Sequence, residues 1–257
     1  LPEDLKFITE DGKGVQSGNV MAKAFAIAAQ RGLTIMSHAE DMDISPWDYR
    51  LAENIETVRN LHLSEYYGTR LHMCHVSTKE AVEAIGAAKW KGVPVTCEVT
   101  PHHLWFADTD YRVNPPIRKA EDVDALIEAI RLGVVDAIAT DHAPHTDEEK
   151  AAGAAGMVGL ETAFGVCYTK LCREKGLPLA RLAELMSTAP AEILGLAGHG
   201  RVLPGYAADL TLVELDTPYT VDKNALHSKS HNCPYDGAQL FGRVDLTIKG
   251  GKVTWKR

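Results

Sequence analysis

The segment Ala137–His145 ends an apolar run with one carboxylate and two imidazole side chains. Its apolar and β-branched residues predict a buried strand, and Asp141, His142 and His145 follow where that strand would end. In a β/α barrel the active site is built at the C-terminal ends of the strands. This placement therefore predicts side chains that do chemistry more than side chains that fill a core.

Three more side chains of the same chemical types follow predicted strands. Each belongs to a different βα unit: Asp11 after Leu5–Thr9, His38 after Leu33–Ser37, and His75 after Arg70–Cys74. Imidazole and carboxylate groups are suitable ligands for zinc or a similar divalent ion, and a water bound to such an ion becomes a nucleophile near neutral pH. A lone histidine at a strand end is explained equally well by a hydrogen bond to the backbone. Agreement at four positions, Asp141 included, favours a shared hydrolytic site.

The elements that must position these side chains are five βα units, because short apolar runs alternate with amphipathic stretches that end at a glycine. The remaining predicted strands are Val93–Val99 and Val134–Thr140, and the predicted helices are Asn19–Arg31, Tyr49–Tyr67, Lys79–Lys91 and Ala120–Leu132. Beyond His145, helices are predicted at Leu160–Glu174 and Leu179–Ser187. Gly205–Val213 and Leu246–Trp255 are predicted strands of a small separate sheet.

Composition favours small-molecule chemistry. The 257 residues carry a formal net charge of -8, which argues against nucleic acid or an anionic membrane as a partner. No apolar stretch approaches the roughly 20 residues that span a bilayer. The five cysteines are odd in number and lie mostly in apolar surroundings, which predicts reduced thiols and a cytoplasmic location.

At these residues the chain resembles the class I dihydroorotases of the amidohydrolase superfamily. Five strings carry the resemblance: Thr9–Gly12, Ser37–Asp41, His72–Thr78, Val113–Arg118 and Ala139–His145. It implies an α/β fold, the metal-dependent hydrolase (β/α)8 TIM barrel, of which residues 1–195 would supply only about strands 4–8 as a partial catalytic barrel. Residues 196–257 would form the β-rich C-terminal segment of a composite sandwich domain.

The resemblance also implies the roles of individual residues. Asp11 resembles a carboxylate that bridges two zinc ions, and His38 and His75 resemble the imidazole ligands of one of them. Asp141 resembles the acid that binds the other ion and carries a proton between the bridging hydroxide and the substrate nitrogen. The two residues that resemble those holding the pyrimidine ring and its exocyclic carboxylate are Asn114 and His145.

The implied reaction is the zinc-dependent, reversible cyclisation of N-carbamoyl-L-aspartate to L-dihydroorotate in pyrimidine (UMP) biosynthesis, with two zinc ions in a complete active site. The partners compatible with it are this small-molecule substrate, a second copy in a homodimer, and aspartate transcarbamoylase. Two alternatives stay open. One is a cyclic amidase of the hydantoinase or allantoinase type, and the other is a non-catalytic dihydroorotase-like scaffold for aspartate transcarbamoylase.

One departure from the family lies near the start of the chain. Class I dihydroorotases carry a His-x-His-x-Arg motif after their first barrel strand, and this chain, which begins at Leu1, has no His-x-His. The expectation is therefore a portion of a dihydroorotase that lacks barrel strands one to three. Such a portion would keep at most one weak zinc site, from Asp11, His38 and His75, and would have little or no activity.

Several polar neighbours receive structural interpretations. His72 is expected to face away from His75 as a satisfied histidine of the barrel wall, and His142 to brace its loop. Glu40 and Asp41 are expected to cap the loop after His38, with orientation of a metal ligand as the alternative for Asp41. Of the adjacent residues His102 and His103, at most one is expected to point into the site.

Overall fold

The computed structural model describes residues 5–257, which fall into two compact units. The first unit combines the chain up to Val99 with Arg118–Asp136, and the second combines Thr100–Ile117 with Ala137–Arg257. The strands are β1 Phe7–Thr9, β2 Thr34–Ser37, β3 Arg70–Met73, β4 Val95–Val99, β5 Ala137–Ile138, β6 Leu210–Glu214, β7 Tyr219–Thr220, β8 Gln239–Leu240, β9 Arg243–Lys249 and β10 Lys252–Lys256. The α-helices are α1 Gly18–Arg31, α2 Tyr49–Tyr67, α3 Lys79–Trp90, α4 Pro101–Trp105, α5 Ala120–Arg131, α6 Asp147–Ala151, α7 Ala163–Cys167, α8 Leu179–Ala183 and α9 Ala189–Ile193.

In the first unit, strands β1 to β4 lie side by side in chain order and all run parallel. The register pairs Thr9 with Met36, and Ser37 with Met73. Parallel neighbours need a crossover connection, and helices α1, α2 and α3 supply it. Because the strands end nearly level, the residues that follow them emerge at one edge of the sheet.

Apolar side chains explain why the helices cover this sheet. The helix-facing side chains of the strands, such as Ile35 and Leu71, are buried. Phe25 of α1 and Ile85 of α3 are fully buried as well. Gly32 ends α1 in the left-handed region at φ 64°, where its N–H bonds the last carbonyls of the helix. The crossover helices therefore pack against the sheet through apolar side chains, and α1 ends just before the next strand begins.

The second unit is more irregular. Helix α7 continues into a π-helical segment, Tyr168–Glu174, and α8 continues into another, Glu184–Thr188. Strands β10, β9 and β6 form a three-stranded antiparallel sheet, and β7 pairs with β8. A buried core joins segments distant in sequence, namely Val113, Met157, Val158, Val166, Val221, Cys233, Tyr235 and Leu240.

The parallel α/β architecture is confirmed, and α2 has the predicted bounds. The strand predicted at Val134–Thr140 is only two residues long, because the N–H groups of Val134 and Val135 still bond the Ala129 carbonyl at the end of α5. Helix α4, which Thr100 caps by accepting the His103 N–H, was not predicted from the sequence.

The tail strands form the predicted separate sheet, but the strand predicted at Leu246–Trp255 is two antiparallel strands, β9 and β10, which meet at Gly250 and Gly251. The barrel-strand numbering, the sandwich and the boundary at residue 195 stay predictions. Within residues 5–257, no helix is both long and apolar enough to cross a bilayer.

Candidate metal centre and active site

Asp11, His38 and His75 meet at the C-terminal edge of the parallel sheet. His38 Nδ1 lies 2.9 Å from His75 Nε2, and His75 Nε2 lies 4.0 Å from Asp11 Oδ1. One ligand atom from each residue lies within 4.8 Å of the others. Both imidazoles are buried, whereas the Asp11 side chain is 75% exposed. The group thus has two fixed nitrogen atoms and one carboxylate on its open side.

The backbone around His75 explains why its ring points to this group. The Cys74 N–H donates to the Ser37 carbonyl and the Val76 N–H donates to the Glu98 carbonyl, so both flanking peptides stay tied to neighbouring strands. His75 itself has φ 36°, in the left-handed region that residues other than glycine seldom adopt. Such conformations persist only where the surroundings determine them, and they concentrate at functional sites.

Glu40 determines which tautomer of His38 is favoured. Its Oε2 lies 2.9 Å from His38 Nε2, and both side chains are buried. A carboxylate accepts, so Nε2 carries the hydrogen and the lone pair of the neutral ring is on Nδ1, facing His75. Asp41 caps the loop as predicted, since its Oδ1 accepts the N–H groups of Asp43 and Ile44. The acid that orients His38 is Glu40, which was expected only to cap the loop.

This donor set fits a divalent cation. Two imidazole nitrogen atoms and a carboxylate are ligands that zinc and related ions accept. Ligand nitrogen atoms about 2.0–2.1 Å from one ion stand roughly 3 to 3.5 Å apart, so the 2.9 Å pair needs only a few tenths of an ångström of adjustment. Without a cation, the same contact is a hydrogen bond in which the His75 Nε2–H donates to the lone pair on His38 Nδ1.

A second group of possible ligands lies within the strands: His72, Cys74 and Glu98. His72 Nδ1 lies 2.8 Å from Thr96 Oγ1, and His72 Nε2 lies 3.1 Å from Glu98 Oε2. Both ring nitrogen atoms therefore have partners within the protein. This agrees with the interpretation of His72 as a satisfied histidine.

In the second unit, Asp141 lies three residues beyond β5 and is half-buried with φ 48°, again in the left-handed region. The adjacent His142 fixes the loop, because the Gly159 and Leu160 N–H groups point at His142 Nδ1 at 3.0 and 3.4 Å. The Ala143 N–H donates to the Met157 carbonyl at 2.9 Å. The loop that directly follows Asp141 is therefore held by hydrogen bonds.

Asn114 and His145 are also in the second unit, both half-buried. His145 Nε2 lies 2.8 Å from the Ala155 carbonyl oxygen. Beside Asn114, the Pro115 carbonyl oxygen lies 3.0 Å from His103 Nε2, and His103 Nδ1 lies 2.8 Å from Thr100 Oγ1. His103 therefore holds the backbone beside Asn114, a structural role that was not predicted for it.

The predicted site residues thus divide between the units. Asp11, His38 and His75 lie together in the first unit, and Asp141, Asn114 and His145 belong to the second. Their roles as ligands, proton carrier and substrate contacts stay predictions.

Curated relatives share much of the sequence. The chain is 50% identical over 256 residues to a protein named dihydroorotase from Clostridium botulinum (strain Eklund 17B / Type B), which covers 99% of the chain. It is 41% identical over 275 residues to a dihydroorotase from Lactiplantibacillus plantarum, which covers 96% of the chain. The chain spans 64% of the length of each.

Solved structures share the fold. A D-hydantoinase (dihydropyrimidinase) from Thermus sp. superposes with a TM-score of 0.90 at 23% identity, over 98% of this chain and 63% of its own. An L-hydantoinase from Arthrobacter aurescens superposes with a TM-score of 0.88 at 29% identity, over 98% of this chain and 64% of its own. The family model described as "Amidohydrolase family" matches residues 8–254. The chain therefore belongs to the amidohydrolase family, whose members generally use a divalent metal ion.

Proposed function

We propose that the protein carrying this sequence is a dihydroorotase, which interconverts N-carbamoyl-L-aspartate and L-dihydroorotate in pyrimidine biosynthesis. The observation that carries the proposal is the 50% identity to a curated dihydroorotase over 99% of the chain. The meeting of Asp11, His38 and His75 supports it, because hydrolysis of a cyclic amide needs a strong nucleophile and a polarised carbonyl.

Asp11, His38 and His75 would hold a divalent ion, for which we propose zinc. When bound, such an ion polarises the amide carbonyl and lowers the pKa of a water molecule. Glu40 keeps the His38 lone pair directed inward, and the left-handed turn at His75 presents its Nε2 to the same point. The pair of imidazoles therefore serves to hold the ion.

Asp141 would act as the proton carrier. In ring opening it takes a proton from the attacking water, the C–N bond of the ring breaks, and the proton passes to the departing nitrogen. In ring closure the same carboxyl group removes a proton from the carbamoyl nitrogen and delivers it to the leaving oxygen. Asn114 and His145 would hold the ring and its carboxylate, as the resemblance implies.

The finer predictions belong to the same proposal. The bound ion would be zinc, with two ions in the complete active site and at most one on this chain alone. Residues 1–195 would form about barrel strands 4–8, and residues 196–257 would form a sandwich segment. The odd number of cysteines and their mostly apolar surroundings support a cytoplasmic location. Homodimerisation and an aspartate transcarbamoylase partner are compatible with this function.

A substrate panel tests the proposal. The natural gene product that contains these residues is assayed with dihydroorotate, N-carbamoyl-aspartate, hydantoin and allantoin. We expect turnover of the first two, and a loss of about 10²- to 10⁴-fold in kcat for Asp141→Asn, since a carboxamide carries no proton between water and nitrogen. The exposed carboxylate variant Glu65→Gln is the matched control.

Faster hydrolysis of hydantoin than of dihydroorotate would instead support the hydantoinase alternative, to which the Arthrobacter aurescens structure points by its name. No turnover of any of the four compounds by a metal-loaded protein would support the scaffold alternative.

A further inference from the structure

A buried carboxylate lies behind the turn that carries His75. Glu53, in the first turns of α2, is 4% exposed. Its Oε1 accepts the Ser77 N–H at 2.9 Å and the Thr78 N–H at 3.2 Å, and its Oε2 accepts the Ser77 hydroxyl. One side chain therefore binds two successive peptide groups that begin two residues beyond His75.

Arg118 completes this arrangement. Its Nη2 donates to Glu53 Oε2 at 2.9 Å and its Nε donates to Ser77 Oγ at 2.9 Å, with both charged side chains almost fully buried. Burial alone would raise the pKa of Glu53, but the Arg118 guanidinium and the Ser77 donors hold it below its usual range. Glu53 is therefore a fixed anion that accepts hydrogen bonds.

These contacts restrict the turn at each peptide after His75. The Val76 N–H is held by the Glu98 carbonyl of β4, and the next two N–H groups are held by Glu53. His75 occupies φ 36°, which is unfavourable for a residue with a β-carbon. Hydrogen bonds immediately downstream are the physical means of keeping such a conformation populated.

We propose that Glu53 is a positioning residue of the metal centre, which holds the turn Val76–Thr78 and thereby directs the His75 imidazole toward His38. The inference rests on the proposed function only through the role of His75 as a ligand. Glu53 acts through the backbone rather than by contact with the ion.

The test compares Glu53→Gln with the wild-type protein in its natural full chain. The amide keeps the shape, but its nitrogen cannot accept an N–H and it leaves Arg118 without its anion. We expect the dissociation constant for Zn²⁺, measured by competition with a chromophoric chelator, to rise about 10- to 100-fold, as for other residues that orient metal ligands. The absorption spectrum of the Co²⁺ form should change too, since one ligand is displaced.

The matched control is Asp136→Asn. Like Glu53, Asp136 accepts hydrogen bonds from a basic side chain, Lys89, and from a backbone N–H, that of Cys97 at 2.7 Å. Cys97 lies in the middle of β4 rather than in the turn after His75. A general loss of stability would affect both variants, whereas a positioning role predicts weaker zinc binding for Glu53→Gln alone.

Two further measurements keep the inference falsifiable. If Glu53→Gln does not fold, Ser77→Ala removes one donor and keeps the backbone N–H, and its zinc affinity should fall about threefold. In a metal-free crystal structure of a folded variant, the His75 ring should turn away from His38. An unmoved ring in the variant with unchanged zinc affinity would overturn the inference. If the ring moves in the variant but the wild-type protein binds no metal, the result contradicts the proposed function alone.

Discussion

Two histidines of one parallel sheet, His72 and His38, differ in the partners of their ring nitrogen atoms. Within the strands, His72 has Thr96 on one ring nitrogen and Glu98 on the other. At the strand ends, His38 also has a carboxylate partner, Glu40, but its second nitrogen faces the nitrogen of His75 at 2.9 Å. In the first arrangement both ring nitrogen atoms meet other residue types, whereas in the second two imidazole nitrogen atoms face each other, through a hydrogen bond or across a cation.

The comparison teaches that proximity of ligand types does not by itself identify a metal site. Both groups contain imidazole and carboxylate within ligand distance. They differ in backbone conformation, because His72 lies in the regular strand β3 whereas His75 lies just beyond it in a left-handed conformation. A hydrogen-bonded histidine inside a strand stabilises the sheet, and a strained one at its end is typical of a functional site.

The largest expected effect comes from replacing one of the facing imidazoles. His38→Asn removes the nitrogen that Glu40 orients, and we expect stoichiometric binding of Zn²⁺ to be lost at micromolar metal. The matched variant His72→Asn should bind zinc within about twofold of the wild type while losing about 1–3 kcal/mol of stability from the unpaired Glu98. Metal analysis after dialysis and a denaturant titration measure the two quantities.

The reverse result, with zinc binding lost in His72→Asn and kept in His38→Asn, would place the metal within the strands and end the distinction between the two environments.

An intermediate loss of zinc affinity is expected when Glu40, the carboxylate that favours one tautomer of His38, is replaced. Glu40→Gln keeps a hydrogen-bond acceptor but removes the charge that makes His38 a better ligand, so zinc affinity should fall about 10- to 100-fold. Chelator competition at several pH values measures it, with Asp41→Asn as the control on the neighbouring residue. Equal losses in the two variants would show that the loop, rather than the Glu40 carboxylate, supports His38.

The regular part of the fold was predictable because its causes are local. Glycine at the helix ends and apolar runs in the strands indicate parallel βα units, and α2 was predicted with its observed bounds. The level ends of β1 to β3 then bring Asp11, His38 and His75 together, so their proximity follows from strand-end placement alone.

The rest of the site depends on contacts that local sequence does not specify. Glu40 and Asp41 are adjacent acids, and only the path of the loop decides which one meets His38. Glu53 lies 24 residues before Ser77, so its hydrogen bond to that residue depends on how α2 packs against β3. In the second unit, π-helical segments interrupt the helices predicted from periodicity, which does not distinguish α-helical from π-helical turns.

The smallest expected effect concerns Glu56, whose Oε2 and the carbonyl oxygen of Glu40, the residue that contacts His38, both lie close to Gly14. Burial raises the pKa of Glu56 to about 8 despite Arg59, and its Oε2 has no hydrogen-bond partner within residues 5–257. Both Glu56 Oε2 and the Glu40 carbonyl oxygen approach Gly14 so closely that a β-carbon there would lie within 2.6 Å of each. Burial, together with the nearby acids Glu10 and Asp41, therefore favours the neutral form of this carboxyl group.

The sign of the pH dependence follows from that raised pKa. Between the ordinary value of 4.5 and about 8, the folded protein holds a proton on Glu56 that the unfolded chain releases. The free energy of unfolding should therefore fall as pH rises through this window, because the native state binds more protons. Glu56→Gln should flatten this slope in urea titrations between pH 5 and about 8, and Glu65→Gln on the same helix should not. A slope unchanged in Glu56→Gln would mean that Glu56 is ionised in the folded protein, with Arg59 outweighing its burial.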